Sequence, residues 1–113
     1  MKSVFYKIKH ILKRTCSNEL NYEELKRVMK NNTKVNLIDV RSNQEYKEGH
    51  LKKAVNLPVY DLEKKIQSIV NNKDEIIILY CQSDYRSQKG KKILNKMGYY
   101  NVFYLKGGMD GIL

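Results

Sequence analysis

An unbroken apolar run at residues 76–80, with the sequence IIILY, limits the folds that are open to this chain. Such a run is typical of a strand that is buried on both faces, as in the centre of a parallel sheet. After it, Ile93, Leu94 and Met97 recur at helical spacing, and Gly98 provides a signal for the helix to end. The pattern therefore predicts a central strand that leads into a helix.

The same alternation of strand and helix patterns continues along the chain. Further strands are predicted at residues 35–40, 54–57 and 101–105, and a flexible turn at residues 106–108. Helices are predicted between the strands, including one at residues 61–70 whose inward side chains are Leu62, Ile66, Ile69 and Val70. Alternating strands and helices imply a parallel sheet that is covered on both faces. We therefore predict an α/β fold of three layers, with a central parallel sheet of about five strands.

The composition restricts the class of protein and its surroundings. A chain of 113 residues suffices for one core, and 42% hydrophobic with 30% charged residues favours a folded domain. Two cysteines, Cys16 and Cys81, provide no disulfide framework, so we expect a reducing, cytoplasmic compartment. The net charge of +10 suits an anionic substrate or an acidic partner. No nucleic-acid-binding motif and no apolar run long enough to span a membrane is present in the sequence.

Residues 1–16 are predicted to form a basic amphipathic helix, separate from a domain at residues 17–113. Its apolar face would consist of Val4, Phe5, Ile8, Ile11 and Leu12. Two interpretations are open: the helix could contact an anionic membrane surface, or its apolar face could pack on the domain. We favour packing, because an apolar stripe on a helix normally faces a core.

Two capping boxes are predicted at helix starts. Asn21 is followed by Glu24, and Ser42 is followed by Glu45, each pair at the spacing of a capping box. Glu45 therefore has a structural role available, which we favour over catalysis. His50 lies in the following turn, and we expect it to be a structural hydrogen-bonding residue rather than a general base.

Cys81 is the candidate nucleophile, because it stands where the central strand ends and a helix is about to begin. In open α/β sheets ligands bind at this edge. Backbone N–H groups of a tight loop and the start of a helix favour an anion, and a thiolate is an anion. Arg86 acts in the same direction, so we expect the thiol to ionise readily and to attack electrophiles. The alternative is that Cys81 is only a small buried apolar residue.

Several short motifs occur in order over roughly residues 18–110. The early motifs are LIDVR at 37–41, EY at 45–46, GHL at 49–51 and AVNLP at 54–58. The later ones are YCQS at 80–83 with RS at 86–87, and a closing segment that contains Gly98, Asn101, Val102, Leu105, Gly107 and Gly108. In this order the motifs resemble those of the rhodanese family of thiosulfate sulfurtransferases, as a single-domain member. The resemblance implies the rhodanese-like version of the three-layer fold.

The resemblance also implies a reaction at Cys81. This residue would take a sulfane sulfur from a small anionic donor such as thiosulfate, or from a persulfide. It would hold the sulfur as a persulfide and pass it to cyanide, a thiol or a protein acceptor. Arg86 would support the loop or contact the donor, and neither metal nor organic cofactor would be needed. The implied substrate-binding residues are Gln82, Ser83, Asp84, Tyr85, Arg86 and Ser87.

The sequence departs from the family's pattern in four respects. Asp84 stands where the loop usually has Gly, and we expect it to adopt a positive φ with its carboxylate turned outward to solvent or a lysine. Lys53 stands where the family usually has Gly, and we expect it to lie at the surface. Gly90 and Lys91 stand where two small residues are common in the helix after the loop. Residues 110–113 lack the Trp that is frequent in the family.

Two other functions are compatible with this fold. A phosphatase or arsenate reductase would have five residues between Cys and Arg, whereas four separate Cys81 from Arg86 here. A shorter loop suits one sulfur atom better than a phosphate, and an anionic Asp84 would repel phosphate. The second alternative is a non-catalytic binding module with an unused cysteine. We favour the sulfurtransferase.

Overall fold

The computed structural model describes residues 18–31 and 34–112. The helix predicted at residues 1–16 and the residue Cys16 lie outside this part of the chain. The sheet contains five strands: β1 Glu19–Leu20, β2 Asn36–Asp39, β3 Val55–Asn56, β4 Ile77–Tyr80 and β5 Val102–Leu105.

Four helices connect the strands, and one short 3₁₀ turn follows them. They are α1 Tyr22–Asn31, α2 Asn43–Glu48, α3 Val59–Ile69, α4 Tyr85–Lys96 and the turn Asp110–Ile112. Both predicted capping boxes are present. Asn21 Oδ1 accepts from Glu24 N–H at 2.8 Å, and Ser42 Oγ accepts from Glu45 N–H at 3.2 Å. Helices in the described ranges are all too short or too polar to span a membrane.

All strand pairs in the sheet are parallel, in the order β1-β5-β4-β2-β3. Strand β4 lies in the middle, with Leu79 opposite Ile38 of β2 and opposite Tyr104 of β5. The predicted α/β fold and its parallel sheet of about five strands are therefore confirmed. Strand β1, which the sequence analysis did not identify, consists of only two residues, too few to show a periodic pattern.

The central strand divides the core into two halves. On one face, Ile77 and Leu79 pack with side chains of α3 and α4, including Leu62 and Leu94. On the other face, the neighbouring residues of β4 pack with α1, in a cluster that contains Leu25, Val28, Ile78 and Tyr80. Successive side chains of a strand point to opposite faces, which explains this division. All four residues of β4 are fully buried, as the apolar run predicted.

The prediction that Ile69 faces inward is wrong. Leu62, Ile66 and Val70 are fully buried as predicted, whereas Ile69 is 41% exposed. The buried stripe of α3 also includes Val59, which packs on the same core. On the helix surface Ile69 lies at the edge of this stripe, about 80° of rotation from Val59 and about 100° from Val70.

Candidate active site

Cys81 lies at the carboxyl end of β4, four residues before α4 begins, and only 1% of its surface is exposed. Its Sγ atom is 3.6 Å from Oγ of the fully buried Ser87. The Ser87 hydroxyl donates a hydrogen bond to the Asp84 carbonyl at 2.9 Å. It can therefore accept from a neutral thiol, and it can rotate to donate to a thiolate.

The loop that follows Cys81 presents backbone N–H groups with no internal partner. Within the described part of the chain, the N–H groups of residues 82–86 donate no hydrogen bond. The last of them belong to the first turn of α4, where the helix dipole is positive. N–H groups without an internal partner can donate hydrogen bonds to an anion that binds in the loop.

Arg86 is held by Glu45 and is not directed freely at the loop. Its two terminal nitrogens donate to Glu45 Oε1 at 2.6 Å and to Oε2 at 3.0 Å. These hydrogen bonds lower the pKa of Glu45 to about 2. They also raise the pKa of Arg86, with a smaller contribution in the same direction from the charge of Cys81. Arg86 therefore supports the loop by joining α4 to α2, and this pairing was not predicted.

A second arginine, which is buried, contacts the loop from the neighbouring strand. Arg41 donates to Asp39 through Nη2 at 2.8 Å and through Nε at 3.0 Å. Its remaining donors contact the Gly49 carbonyl at 2.6 Å and Gln82 Oε1 at 3.2 Å. The sequence analysis did not include Asp39 and Arg41 among the site residues. The end of their strand was the available signal, because parallel strands end at one edge of the sheet.

The C-terminal segment, residues 107–110, closes the other side of the loop. Met109 N–H donates to the Cys81 carbonyl at 3.0 Å, and Asp110 N–H donates to the Gln82 carbonyl at 2.9 Å. The Gln82 side chain donates in turn to Asp110 Oδ1 at 2.6 Å. A Cβ atom at Gly108 would overlap the carbonyl oxygens of Cys81 and Ser83. The turn predicted at residues 106–108 is present, and Gly107 and Gly108 both contact the loop, through the Asp84 side chain and the loop carbonyls respectively.

Asp84 contacts the C-terminal segment through its side chain. Its Oδ1 accepts from Gly107 N–H at 2.8 Å, a contact that the expected orientation towards solvent or a lysine did not include. Its φ of −134° shows that the expectation of a positive φ was wrong. The loop reaches α4 without a left-handed residue, whereas Lys53 does adopt a positive φ of 70°. Among the departures from the family's pattern, a residue in the left-handed conformation thus occurs at Lys53 and not at Asp84.

The remaining candidates lie further out. Tyr85 is 74% exposed and Ser83 is also exposed, so these two contribute N–H groups to the loop and their side chains face solvent. His50 stacks on Tyr46 with ring centroids 3.7 Å apart, and its Nδ1 lies 2.8 Å from the Tyr46 carbonyl. These contacts agree with the structural role expected for His50.

A family model described as the rhodanese-like domain matches residues 21–113. The chain is 39% identical over 108 residues to a probable molybdopterin-synthase adenylyltransferase of Porphyra purpurea, covering 92% of this chain and 28% of that protein. It is 34% identical over 65 residues to the thiosulfate sulfurtransferase PspE of Escherichia coli, covering 58% and 62% respectively. The chain thus spans less than two thirds of either relative.

Solved structures show the same architecture. A rhodanese from E. coli superposes with a TM-score of 0.64 at 32% identity, over 67% of this chain and 89% of that chain. The human single-domain sulfurtransferase TSTD1 superposes with a TM-score of 0.74 at 20% identity, over 85% and 96% respectively. The second likeness concerns the fold alone.

Proposed function

Because the chain belongs to the family of rhodanese-like domains, we propose that it is a sulfurtransferase that carries a sulfane sulfur on Cys81. One observation carries the proposal. The Cys81 thiol stands at the end of the central strand, next to a loop whose N–H groups have no internal partner. That arrangement suits a sulfur nucleophile whose product is also an anion.

The reaction proceeds in two balanced steps. The Cys81 thiolate attacks the outer sulfur of the donor, and the sulfur–sulfur bond of the donor breaks. The leaving group, sulfite in the case of thiosulfate, departs with the electron pair of that bond, and Cys81 becomes a persulfide anion. A thiolate or cyanide acceptor then attacks the outer sulfur of the persulfide, and the Cys81 thiolate is regenerated.

The side chains around Cys81 have separate roles in this scheme. The Ser87 hydroxyl, 3.6 Å from Sγ, donates a hydrogen bond to the thiolate before attack. The N–H groups of residues 82–87 stabilise the persulfide charge. Arg86 is a positioning residue that keeps α4 and the loop in place through Glu45. The scheme assigns no step to a metal or an organic cofactor.

The names of the relatives support a role in sulfur chemistry. One relative is named a thiosulfate sulfurtransferase, and another, from Bacillus subtilis, a putative sulfur carrier protein. We propose that the acceptor is a small thiol or a cysteine of another protein. Free thiols persist in the reducing cytoplasm, which is the compartment we propose.

Mass spectrometry of the intact protein tests the proposal directly. The protein is mixed with excess thiosulfate or, separately, with the methanethiosulfonate anion, and its mass is then measured. We expect a gain of one sulfur atom that proteolysis locates on Cys81, and release of that sulfur by cyanide. Cys81→Ser should gain none, and Cys16→Ser serves as the matched control that keeps the reaction. Wild-type protein that gains no sulfur from either donor would favour the non-catalytic binding module.

A further inference from the structure

Within residues 18–31 and 34–112, six charged side chains belong to the hydrogen-bond and ion-pair contacts around the Cys81 loop, and their charges do not cancel. Two are the cations Arg41 and Arg86, and four are the anions Asp39, Glu45, Asp84 and Asp110. Two positive charges against four negative charges leave an excess of two negative charges beside the candidate nucleophile. The whole chain, in contrast, carries a net charge of +10.

The two arginines offer little attraction to an anionic donor. Arg41 Nη2 lies 2.8 Å from Asp39 and Arg86 Nη1 lies 2.6 Å from Glu45, so each cation is already paired with a carboxylate. The opposite charges of such a pair largely cancel at a distance, so an approaching anion experiences only the weak field of a dipole. Most lysines of the chain are exposed to solvent, where salt screens their field beyond about 8 Å.

Asp84 and Asp110 place two carboxylates at the loop. Each accepts a hydrogen bond from a neutral donor: the Gly107 N–H at 2.8 Å and the Gln82 amide at 2.6 Å. Neither forms an ion pair within residues 18–31 and 34–112. Both hydrogen bonds fix the carboxylates against the loop, so a donor that enters the loop meets their field.

From this charge balance we infer that the site selects a sulfane-sulfur donor of low charge, the persulfide of a thiol, over the dianion thiosulfate. The inference rests on the proposed sulfur transfer and adds the class of donor. Asp84 and Asp110 determine this specificity, because, among the residues that the structure describes, theirs are the carboxylates at the loop that are not paired with an arginine. The Coulomb repulsion between them and a donor grows in proportion to the charge of the donor.

The chemical step with such a donor is balanced without a further reactant. The Cys81 thiolate attacks the outer sulfur of R–S–SH, the donor's sulfur–sulfur bond breaks, and the thiolate RS⁻ leaves with its electron pair. The proton stays on the persulfide of Cys81 or passes to RS⁻. No net oxidation occurs, because one persulfide and one thiolate are exchanged for another such pair.

Two stable probes separate charge from shape. The methanethiosulfonate anion has a methyl group where thiosulfate has one charged oxygen, so it is singly charged and of similar size. We propose to measure kcat/KM with each probe at low salt for the wild type, Asp84→Asn and Asp110→Asn. Asn keeps an oxygen that can accept from Gly107 or Gln82, and the substitution removes only the charge.

We expect Asp84→Asn to raise kcat/KM for thiosulfate about three- to tenfold. The rise for methanethiosulfonate should be about the square root of that factor, because the repulsion energy scales with donor charge. Asp110→Asn should give smaller changes, since Asp110 is more exposed. Both gains should shrink at high salt. If Asp84→Asn changes kcat/KM by the same factor for both probes, the cause is an altered loop shape and the inference is wrong. Unchanged values of kcat/KM would also overturn it.

Asp74→Asn is the matched control. Asp74 lies in the exposed turn before β4, at the opposite end of that strand from Cys81, and the chemical change is the same. Its kcat/KM should not change with either probe. Absence of sulfur on Cys81 with both probes would refute the proposed function. Sulfur on Cys81 with equal factors would refute the donor class alone.

Discussion

Arg86 donates two hydrogen bonds to Glu45, with distances of 2.6 Å to Oε1 and 3.0 Å to Oε2. The same carboxylate accepts from the backbone N–H of Ser42 at 3.0 Å and so completes the cap of α2. One side chain therefore joins the N-terminal ends of α2 and α4. Since α4 begins directly after the Cys81 loop, this ion pair fixes one side of the candidate site.

The ion pair predicts how stability depends on pH. The pKa of Glu45 is lowered from 4.5 to about 2, chiefly by Arg86. Because the pKa in the folded state is depressed, the ionised carboxylate stabilises the fold above pH 4.5, and this contribution is lost as the pH falls to about 2. We expect Glu45→Gln to lower the free energy of unfolding by about 1 kcal/mol at neutral pH, with the deficit shrinking over that window.

Urea unfolding at a series of pH values measures this effect. The exposed Glu63 of α3 provides the control, because Glu63→Gln removes a carboxylate that forms no ion pair within the described ranges. A Glu45→Gln deficit that is the same at neutral and at acidic pH would contradict the assignment.

Gly108→Ala should damage both stability and sulfur transfer. Gly108 has a φ of +56°, and an added Cβ would overlap the carbonyl oxygens of Cys81 and Ser83. The loop or the C-terminal segment must then move, so we expect a loss of about 3 kcal/mol in the free energy of unfolding. Thermal unfolding and the rate of persulfide formation report the two effects.

Gly49→Ala separates overlap from backbone strain. Gly49 also has a positive φ, of +153°, but an added Cβ would have nothing within 4 Å. We therefore expect a smaller loss of stability for Gly49→Ala. If the two substitutions cost the same, the contact between Gly108 and the loop has no energetic role.

Ser87→Ala should slow the reaction with little unfolding. The hydroxyl lies 3.6 Å from the Cys81 sulfur, and its loss removes the hydrogen bond that, in the proposed scheme, it donates to the thiolate. A hydrogen bond to a charged group contributes about 1.5–3 kcal/mol, so we expect persulfide formation to slow by at least about tenfold. Ser68→Ala is the control, because Ser68 also donates to the carbonyl three residues earlier but is exposed. A rate for Ser87→Ala equal to that of Ser68→Ala would exclude this role.

The N-terminal region supplies a prediction that the described residues leave open. If the apolar side chains of residues 1–16 pack on the domain, deletion of these residues should lower the melting temperature and leave binding to anionic vesicles unchanged. Calorimetry and vesicle co-sedimentation decide between the two interpretations. Vesicle binding that disappears on deletion, with an unaltered melting temperature, would support the membrane interpretation instead.

Local patterns were sufficient to predict the framework of the site. Residues 76–80 are uniformly apolar, which is typical of a strand that is buried on both faces of a sheet. The capping box of Ser42 and Glu45 depends on residues three apart and was predicted correctly. Cys81 was correctly expected between a strand end and a helix start.

Contacts between distant residues were not predicted, because no local pattern encodes them. Asp84 and Gly107 are 23 residues apart and form a hydrogen bond. Asp84 has a negative φ, whereas we expected a positive one. Glu45 and Arg86 are 41 residues apart. In both cases the sequence predicts that a charged residue lies near the carboxyl ends of the strands. Which residue it forms a hydrogen bond with depends on how the helices and strands pack.

The closure of the loop by residues 107–110 has a consequence for synthesis. Met109 and Asp110 donate to the carbonyls of Cys81 and Gln82, so these carbonyls have no such partner until residues 109 and 110 have left the ribosome. Leu20 likewise pairs with Leu105, which joins strands from opposite ends of the described chain. Assembly of the sheet edge and of the loop therefore waits for the same late residues. A nascent chain that has exposed Cys81 but not residues 107–110 holds a thiol whose loop still lacks these backbone contacts.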